Sequence, residues 1–195
     1  MSNPVIENMK DRRSIRRFKT EQIKKEELDE IILAGRIAPS GKNVQQNHFI
    51  VIQNEDVKKT VRRLVEDAYA AIGTDHPSYP RLERAIARAR KHDYDFFFSA
   101  PTLIVLANHQ NNENAMADVA VALENMMLAA TSLSVGSCYI NQFKRVSEDP
   151  DLFAYFQKLG LGPDERIFGA LSLGYSALPW PERKEITGNR VTFHR

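Results

Sequence analysis

Two hydrophobic patterns alternate along the chain. Apolar residues recur at helical spacing in some stretches and bunch into short continuous runs in others, which predicts helices interleaved with strands. Val5, Ile6 and Met9 share one face of a short helix, with Asn3 as its cap and Pro4 at its first position. Thr20 to Ala38 predicts a capped helix, opened by Thr20 or Gln22, with Leu28, Ile31, Ile32 and Ile37 as its buried stripe. Asp56 is expected to cap another, carrying Val57, Val61, Leu64, Val65 and Ala68. A charged helix is expected from about Arg81 to Lys91, and a further one from Asp149-Pro150 to Gly160, with Leu152, Phe153 and Phe156 inside. The apolar run His48–Ile52 predicts a strand buried on both faces, Thr102–Ala107 a second buried strand, and Ile167–Leu173 a third strand. Residues 135–143 read as a loop or short strand, and 72–80 as an irregular surface loop. In the tail from Pro179, Val191 and Phe193 alternate with polar neighbours, so it could extend a sheet edge or reach a partner.

The helix expected over Asn114 to Leu133 differs from the others. Met116, Val119, Ala120, Leu123, Met126, Met127, Ala130 and Leu133 follow the period, while Ala117, Val121, Ala122, Leu128 and Ala129 fill much of the opposite side. A helix apolar nearly all round is buried in a core or an interface. Its small residues allow another helix to approach closely. It is expected as a long central helix that could cross a dimer partner.

Composition narrows the class. The 195 residues fit one domain over 1–195 with a C-terminal arm from about 179 to 195. Apolar residues make up 43%, enough for a core and too many for a disordered chain. Net charge is +2 because acidic residues are spread throughout, which argues against a dedicated nucleic-acid binder. Cys138 is the single cysteine, so no intrachain disulfide can form and a reducing compartment fits. No signal peptide and no bilayer-spanning stretch is visible, and a cytoplasmic protein is expected.

The chemistry-bearing residues are unevenly placed. Arg12-Arg13-Ser14-Ile15-Arg16-Arg17 follows the first helix where the chain turns extended. Two physical readings compete: a solvated basic patch, or a phosphate clamp in which guanidinium forks and a serine hydroxyl meet phosphate oxygens. Other polar groups gather in the loop Pro39-Ser40-Gly41-Lys42-Asn43, in Tyr139–Gln142, and in the tail around Arg183 and Lys184. No Gly-x-Gly-x-x-Gly follows a strand and no lysine P-loop occurs. The five histidines lack metal-ligand spacing, and no metal is expected. With no nucleophile or acid–base team, the set suits a cofactor that carries the chemistry itself.

Three motifs in order resemble the FMN-dependent nitroreductase family. They are Arg-Arg-Ser-x-Arg-x-Phe at 12–18, Ala-Pro-Ser-x-x-Asn-x-Gln at 38–45, and the apolar helix ending in a Gly-Ser-Cys loop at 136–138. The resemblance covers nearly the whole chain. It implies an α+β fold, with a central, mainly antiparallel sheet flanked by helices. It also implies a homodimer with two FMN sites built from both subunits. By motif position, Arg12 and Ser14 would hold the FMN phosphate with Arg13 nearby, and Arg16 would face the flavin N1 and O2 edge. Pro39, Ser40 and Asn43 would come from the other subunit. Tyr139, Ile140, Asn141 and Gln142 would pack on the ring, with a backbone N–H near Asn141 facing N5. Arg183, with Lys184, would close the phosphate site, while Arg17 is left to solvent.

The implied activity is ping-pong transfer of hydride from NAD(P)H through flavin to an electron-poor acceptor such as a nitroaromatic, quinone or enone. Where many family members have Gln-Pro-Trp, this chain has Gln45-Gln46-Asn47. That departure keeps open a flavin-binding sensor or carrier with little turnover. The arginine run alone keeps open a basic nucleic-acid-binding module.

Overall fold

The protein's structure is a computed structural model that describes residues 3–73 and 79–195. Four strands form one antiparallel sheet in the order β1-β2-β4-β3: β1 (His48–Ile52), β2 (Thr102–His109), β3 (Gly136–Ile140) and β4 (Glu165–Gly174). Six helices accompany it among the described residues: α1 (Pro4–Asp11), α2 (Lys25–Arg36), α3 (Glu55–Ala70), α4 (Pro80–Ala89), α5 (Ala115–Ser132) and α6 (Pro150–Lys158). The architecture is α+β.

Side-chain alternation along β2 divides the interior into two cores. Leu103, Val105 and Ala107 face a cluster built with α3, α4 and α6. Ile104 and Leu106 face the other, built with α2 and α5. The sheet is therefore a middle layer, and β2 and β4 read as continuous apolar runs because both their faces are covered. β1 departs from that expectation. It lies at the sheet edge, with Ile50 and Ile52 buried but Val51 38% exposed. β4 carries a bulge where Leu106 pairs Gly169 and Ala107 pairs Ile167.

Several boundaries differ from the sequence expectation. α2 starts at Lys25 rather than Thr20 or Gln22. The chain before it is extended because Gln22 is held by Pro101 and Thr102, and Lys19 N–H donates to the Tyr175 carbonyl. Ile37 is 71% exposed and lies outside the buried stripe. α3 is capped by Asn54, whose Oδ1 accepts from Asp56 and Val57 N–H, and not by Asp56. Residues 136–140 form the strand β3. α5 has eight buried residues, but Met116 and Val121 are exposed on its outer side. Beyond Ser176 the chain has no helix or strand and lies exposed, so within this chain the tail adds nothing to the sheet. The loop expected over 72–80 lies outside the described residues at 74–78.

α1 follows the sequence expectation closely. Asn3 Oδ1 accepts from Val5 and Ile6 N–H, and Pro4 fills the first position. Its apolar face is open, with Val5 59%, Ile6 47% and Met9 43% exposed. Asn8 Nδ2 donates to the Leu128 carbonyl and ties α1 to α5.

Candidate functional site

The arginine segment is laid along the edge of the sheet. α1 ends at Asp11, and Arg12 is already extended at φ −57°, ψ 131°. Ser14 then bridges Ser137 of β3 in parallel, with Ile15 N–H donating to the Ser137 carbonyl at 2.8 Å. Ile15 is buried and anchors the segment. In an extended chain alternate residues share a side, so Arg12, Ser14 and Arg16 fall opposite Ile15. Gly136 makes this approach feasible: a Cβ there would lie 2.9 Å from the Gly174 carbonyl oxygen and 3.0 Å from Ile15 Cβ.

The basic groups differ in what already occupies them. Arg13 donates from Nε to the Pro181 carbonyl and from Nη1 to those of Lys10 and Arg12. Arg183 donates to the Met9 and Lys10 carbonyls, the last acceptors of α1, where cations are favoured. Trp180 Nε1 donates to the Asp11 carbonyl, so the start of the tail wraps the end of α1. A guanidinium has five N–H donors, so both arginines keep some to spare. Arg12 is freer: its Nε lies 3.6 Å from Glu124 Oε1. Arg17 is exposed, and Lys184 lies exposed in the tail.

Further along the same edge, a cavity of about 390 Å³ opens at the end of β3. Cys138, Tyr139, Ile140, Asn141 and Gln142 form its floor, and Arg16 enters from the arginine segment. The Arg16 guanidinium sits 5.7 Å from the centre of the Phe98 ring. The opposite wall comes from α3, α4 and the short turn Gln142–Arg145: Tyr69, Arg81, Leu82 and Arg145. Tyr69 donates to the Gln142 carbonyl at 3.1 Å, which ties α3 to the floor. These wall residues were missed in the sequence. Tyr69 carried the one usable signal, since a tyrosine on a buried helical stripe must find a partner for its hydroxyl.

The electrostatics of the cavity are one-sided. Among the described residues Arg16, Arg81 and Arg145 line it and no carboxylate does. Burial raises the Tyr69, Tyr94 and Tyr139 phenols above their ordinary value, so these walls stay neutral. Burial likewise raises the Cys138 thiol, against the opposing pull of Arg16, so Cys138 is held as a thiol. Two buried polar atoms on the floor strand and turn, Ser137 Oγ and Gln142 Oε1, have no hydrogen-bond partner. Among the described residues no cluster of His, Cys, Asp or Glu could hold a metal ion.

The loop with Pro39, Ser40 and Asn43 is not part of this cavity. It precedes β1, at the opposite edge of the sheet from β3, three strand spacings or about 14 Å away. The loop is nonetheless built. Gly41 N–H donates to Asp118 Oδ1, Asn47 Nδ2 donates to the Asp118 carbonyl, and Gln45 N–H donates to Ser40 Oγ. Lys42, Asn43 and Gln45 adopt left-handed backbone at φ 52°, 54° and 53°. Pro39 and Asn43 present themselves to solvent.

Comparisons with known proteins bear on the fold and the family. The model of the Nitroreductase family matches residues 9–175. The crystal structure of a nitroreductase with bound FMN from Bacteroides fragilis superposes with a TM-score of 0.88 and 32% identity, covering 99% of this chain and 100% of that one. A protein from Archaeoglobus fulgidus described as an NADH dehydrogenase/NAD(P)H nitroreductase is 28% identical over 84% of this chain and 80% of its own. An iodotyrosine deiodinase from Thermotoga neapolitana is 27% identical over 94% of this chain and 96% of its own.

Proposed function

Starting from the fact that this chain belongs to the nitroreductase family, we propose that it is an FMN-dependent oxidoreductase using NAD(P)H to reduce an electron-poor acceptor. The observation that carries this reading is the course of residues 12–16 beside β3, which sets a cluster of phosphate-type donors and a ring-sized cavity on one sheet edge. FMN has the matching parts: a phosphate anion at one end and a flat ring with polar edges at the other. The orphaned Ser137 Oγ and Gln142 Oε1 also fit a ligand that brings both donors and acceptors.

When bound, FMN supplies the chemistry by receiving hydride at N5 from NAD(P)H and yielding it to a nitroaromatic, quinone or enone. The chain's residues bind and orient. Arg12 and Ser14 hold the phosphate, with Arg13 and Arg183 placed by their carbonyl contacts and Lys184 beside them. Arg16 brings fixed positive charge to the ring end, where reduction develops negative charge. Tyr139, Ile140, Asn141 and Gln142 form the surface on which the ring rests, with a backbone N–H near Asn141 as a donor. Tyr69 and Phe98 shield that surface from water.

The remaining groups, Pro39, Ser40 and Asn43, are assigned to a second copy of the chain. Their place at the opposite sheet edge supports this, as do the open apolar faces of α1, α2 and α5 at Ile6, Leu33 and Val121. The protein is thus read as a homodimer with a shared site, and α5 as the element near the partner.

Purified protein should carry the visible flavin bands, and mass analysis of released cofactor should give FMN. NADH or NADPH should bleach the bands, and steady-state plots with a nitroaromatic should be parallel. Colourless protein that does not take up FMN overturns the assignment. Bound flavin that neither nucleotide reduces would mark a carrier.

A further inference from the structure

The cavity wall carries more positive charge than its cofactor can use. Arg81 and Arg145 stand on the α4 and Gln142–Arg145 side, beyond the end of β3. The phosphate donors lie at the other end, where Ser14 meets Ser137, and three residues of strand (about 10 Å) separate Ser137 from Ile140. A phosphate held at Ser14 therefore leaves Arg81 and Arg145 without an anion. Among the described residues no carboxylate forms an ion pair with either of them.

A second hollow of about 480 Å³ continues from the first, shares Tyr69, Leu82, Asn141 and Arg145 with it, and adds Lys144. Among the described residues no acidic one lines it. Arg145 is not free to swing at random, since its guanidinium rests 5.0 Å from the centre of the Tyr79 ring. Tyr69, Tyr79 and Tyr94 supply flat aromatic faces, and burial keeps Tyr69 and Tyr94 protonated, so they add no negative charge.

We propose that the acceptor of this site is an aromatic compound bearing a negatively charged substituent such as a carboxylate, seated between the tyrosine faces with its anion on Arg81 and Arg145. The proposal rests on the FMN oxidoreductase reading and adds the substrate class. For a nitro acceptor the first step is balanced by one NAD(P)H and one proton, which convert the nitro group to nitroso with release of water. Arg81 and Arg145 take no part in that chemistry. They set which acceptor is held.

The test uses benzoate against benzamide as non-reacting probes, and para-nitrobenzoate against para-nitrobenzamide as acceptors. Calorimetric binding to the purified holoprotein should favour benzoate over benzamide. Arg81→Gln and Arg145→Gln should each raise the benzoate Kd and the para-nitrobenzoate KM about tenfold, the lower end for one charged hydrogen bond. Both variants should leave benzamide and para-nitrobenzamide within about twofold, since neither probe carries an anion to lose. The exposed positions of both arginines keep the fold intact, checked by an unchanged Tm.

Equal affinity for benzoate and benzamide overturns the proposal. So does equal weakening of both in the variants. It is also overturned if the variants spare the acceptors and weaken NADPH alone, which would make the arginines readers of dinucleotide phosphates. Failure of the underlying reading shows separately, as absent flavin bands or as bands that neither nucleotide bleaches, whatever the benzoate-to-benzamide ratio.

Discussion

Replacing Arg12 by alanine tests the phosphate clamp most directly, because of the arginines assigned to the phosphate, Arg12, Arg13 and Arg183, it is the one least used by the fold. Among the described residues its ion-pair partner is Glu124 at 3.6 Å, and the two side chains are 27% and 49% exposed. An ion pair this open is worth about 0–1 kcal/mol, so Arg12→Ala should leave Tm nearly unchanged. A charged hydrogen bond to phosphate is worth about 1.5–3 kcal/mol, and each 1.4 kcal/mol is about tenfold in Kd. Partial exposure places Arg12 near the lower end, so the FMN Kd should rise about tenfold. Equilibrium dialysis or flavin fluorescence on apoprotein reloaded with FMN measures it.

Two controls sharpen the reading. Arg17→Ala removes the same charge from an exposed position outside the clamp and should change the Kd less than about twofold. Arg13→Ala strips hydrogen bonds from three carbonyls, so its loss of FMN should come with a lower Tm. Riboflavin, which lacks the phosphate, should bind wild type and Arg12→Ala alike. If Arg12→Ala keeps wild-type FMN affinity at unchanged Tm, the phosphate is held elsewhere and the reasoning fails. An equal loss of FMN and riboflavin would refute it too.

Other positions test how the site is supported. Gly136→Ala should cost about 1–3 kcal/mol by overpacking against Gly174 and Ile15, and should weaken FMN by lifting the arginine segment from β3; denaturant melts and FMN titration read both. Lys58 Nζ is buried and donates to the Ala100 and Pro101 carbonyls; Pro101 keeps its bond from Gln22, so Lys58→Met leaves the Ala100 carbonyl unpaired and should lose about 1–3 kcal/mol without changing flavin affinity. Tyr69 has its phenol raised by burial. The sign follows from that direction: stability is full below the unfolded value near 10 and falls as pH rises above it, because only the unfolded chain then releases the proton. The slope is about 1.4 kcal/mol per pH unit for this group, and Tyr69→Phe should remove it while losing about 1 kcal/mol at neutral pH from the bond to Gln142.

Legibility in the sequence followed the range of the interactions. α1 could be placed from Asn3 and Pro4 because its cap is made by neighbours in the chain. The start of α2 could not, because Gln22 is held extended by Pro101 and Thr102, eighty residues away. Asn54 and Asp56 are equivalent caps in composition, and only the fold shows that Asn54 Oδ1 meets both free N–H groups. The run 48–52 is as apolar as an interior strand, yet strand order makes it an edge. β3 was masked by its small residues, and Gly136 is small because Ile15 and the Gly174 carbonyl press on it. In the cavity, the floor at 139–142 and Arg16 were visible as polar clusters. Tyr69, Arg81 and Arg145 were not, since their convergence depends on how α3 and α4 pack beside β3.

If Ser40 and Asn43 belong to the proposed site, the strand order requires a second chain to supply them. Ser40 and Asn43 precede β1, the cavity lies at the end of β3, and these strands are opposite edges of one sheet. No adjustment of a loop closes that gap without unmaking the Asp118 contacts that hold Gly41 and Asn47. On the proposed reading a second chain brings this loop to the first chain's cavity. The faces left open are the ones such a chain would cover: Val5, Ile6 and Met9 on α1, Leu33 on α2 with Ile37 just past its end, and Val121 on α5. Fully burying an exposed side chain of this size contributes about 1.5–3 kcal/mol and these are partly covered already, so each adds a fraction of that, and on the proposed reading association and site assembly are one equilibrium. On this reading FMN binds a surface that exists only in the dimer. Its apparent affinity should then fall on dilution, as a site formed within one chain would not.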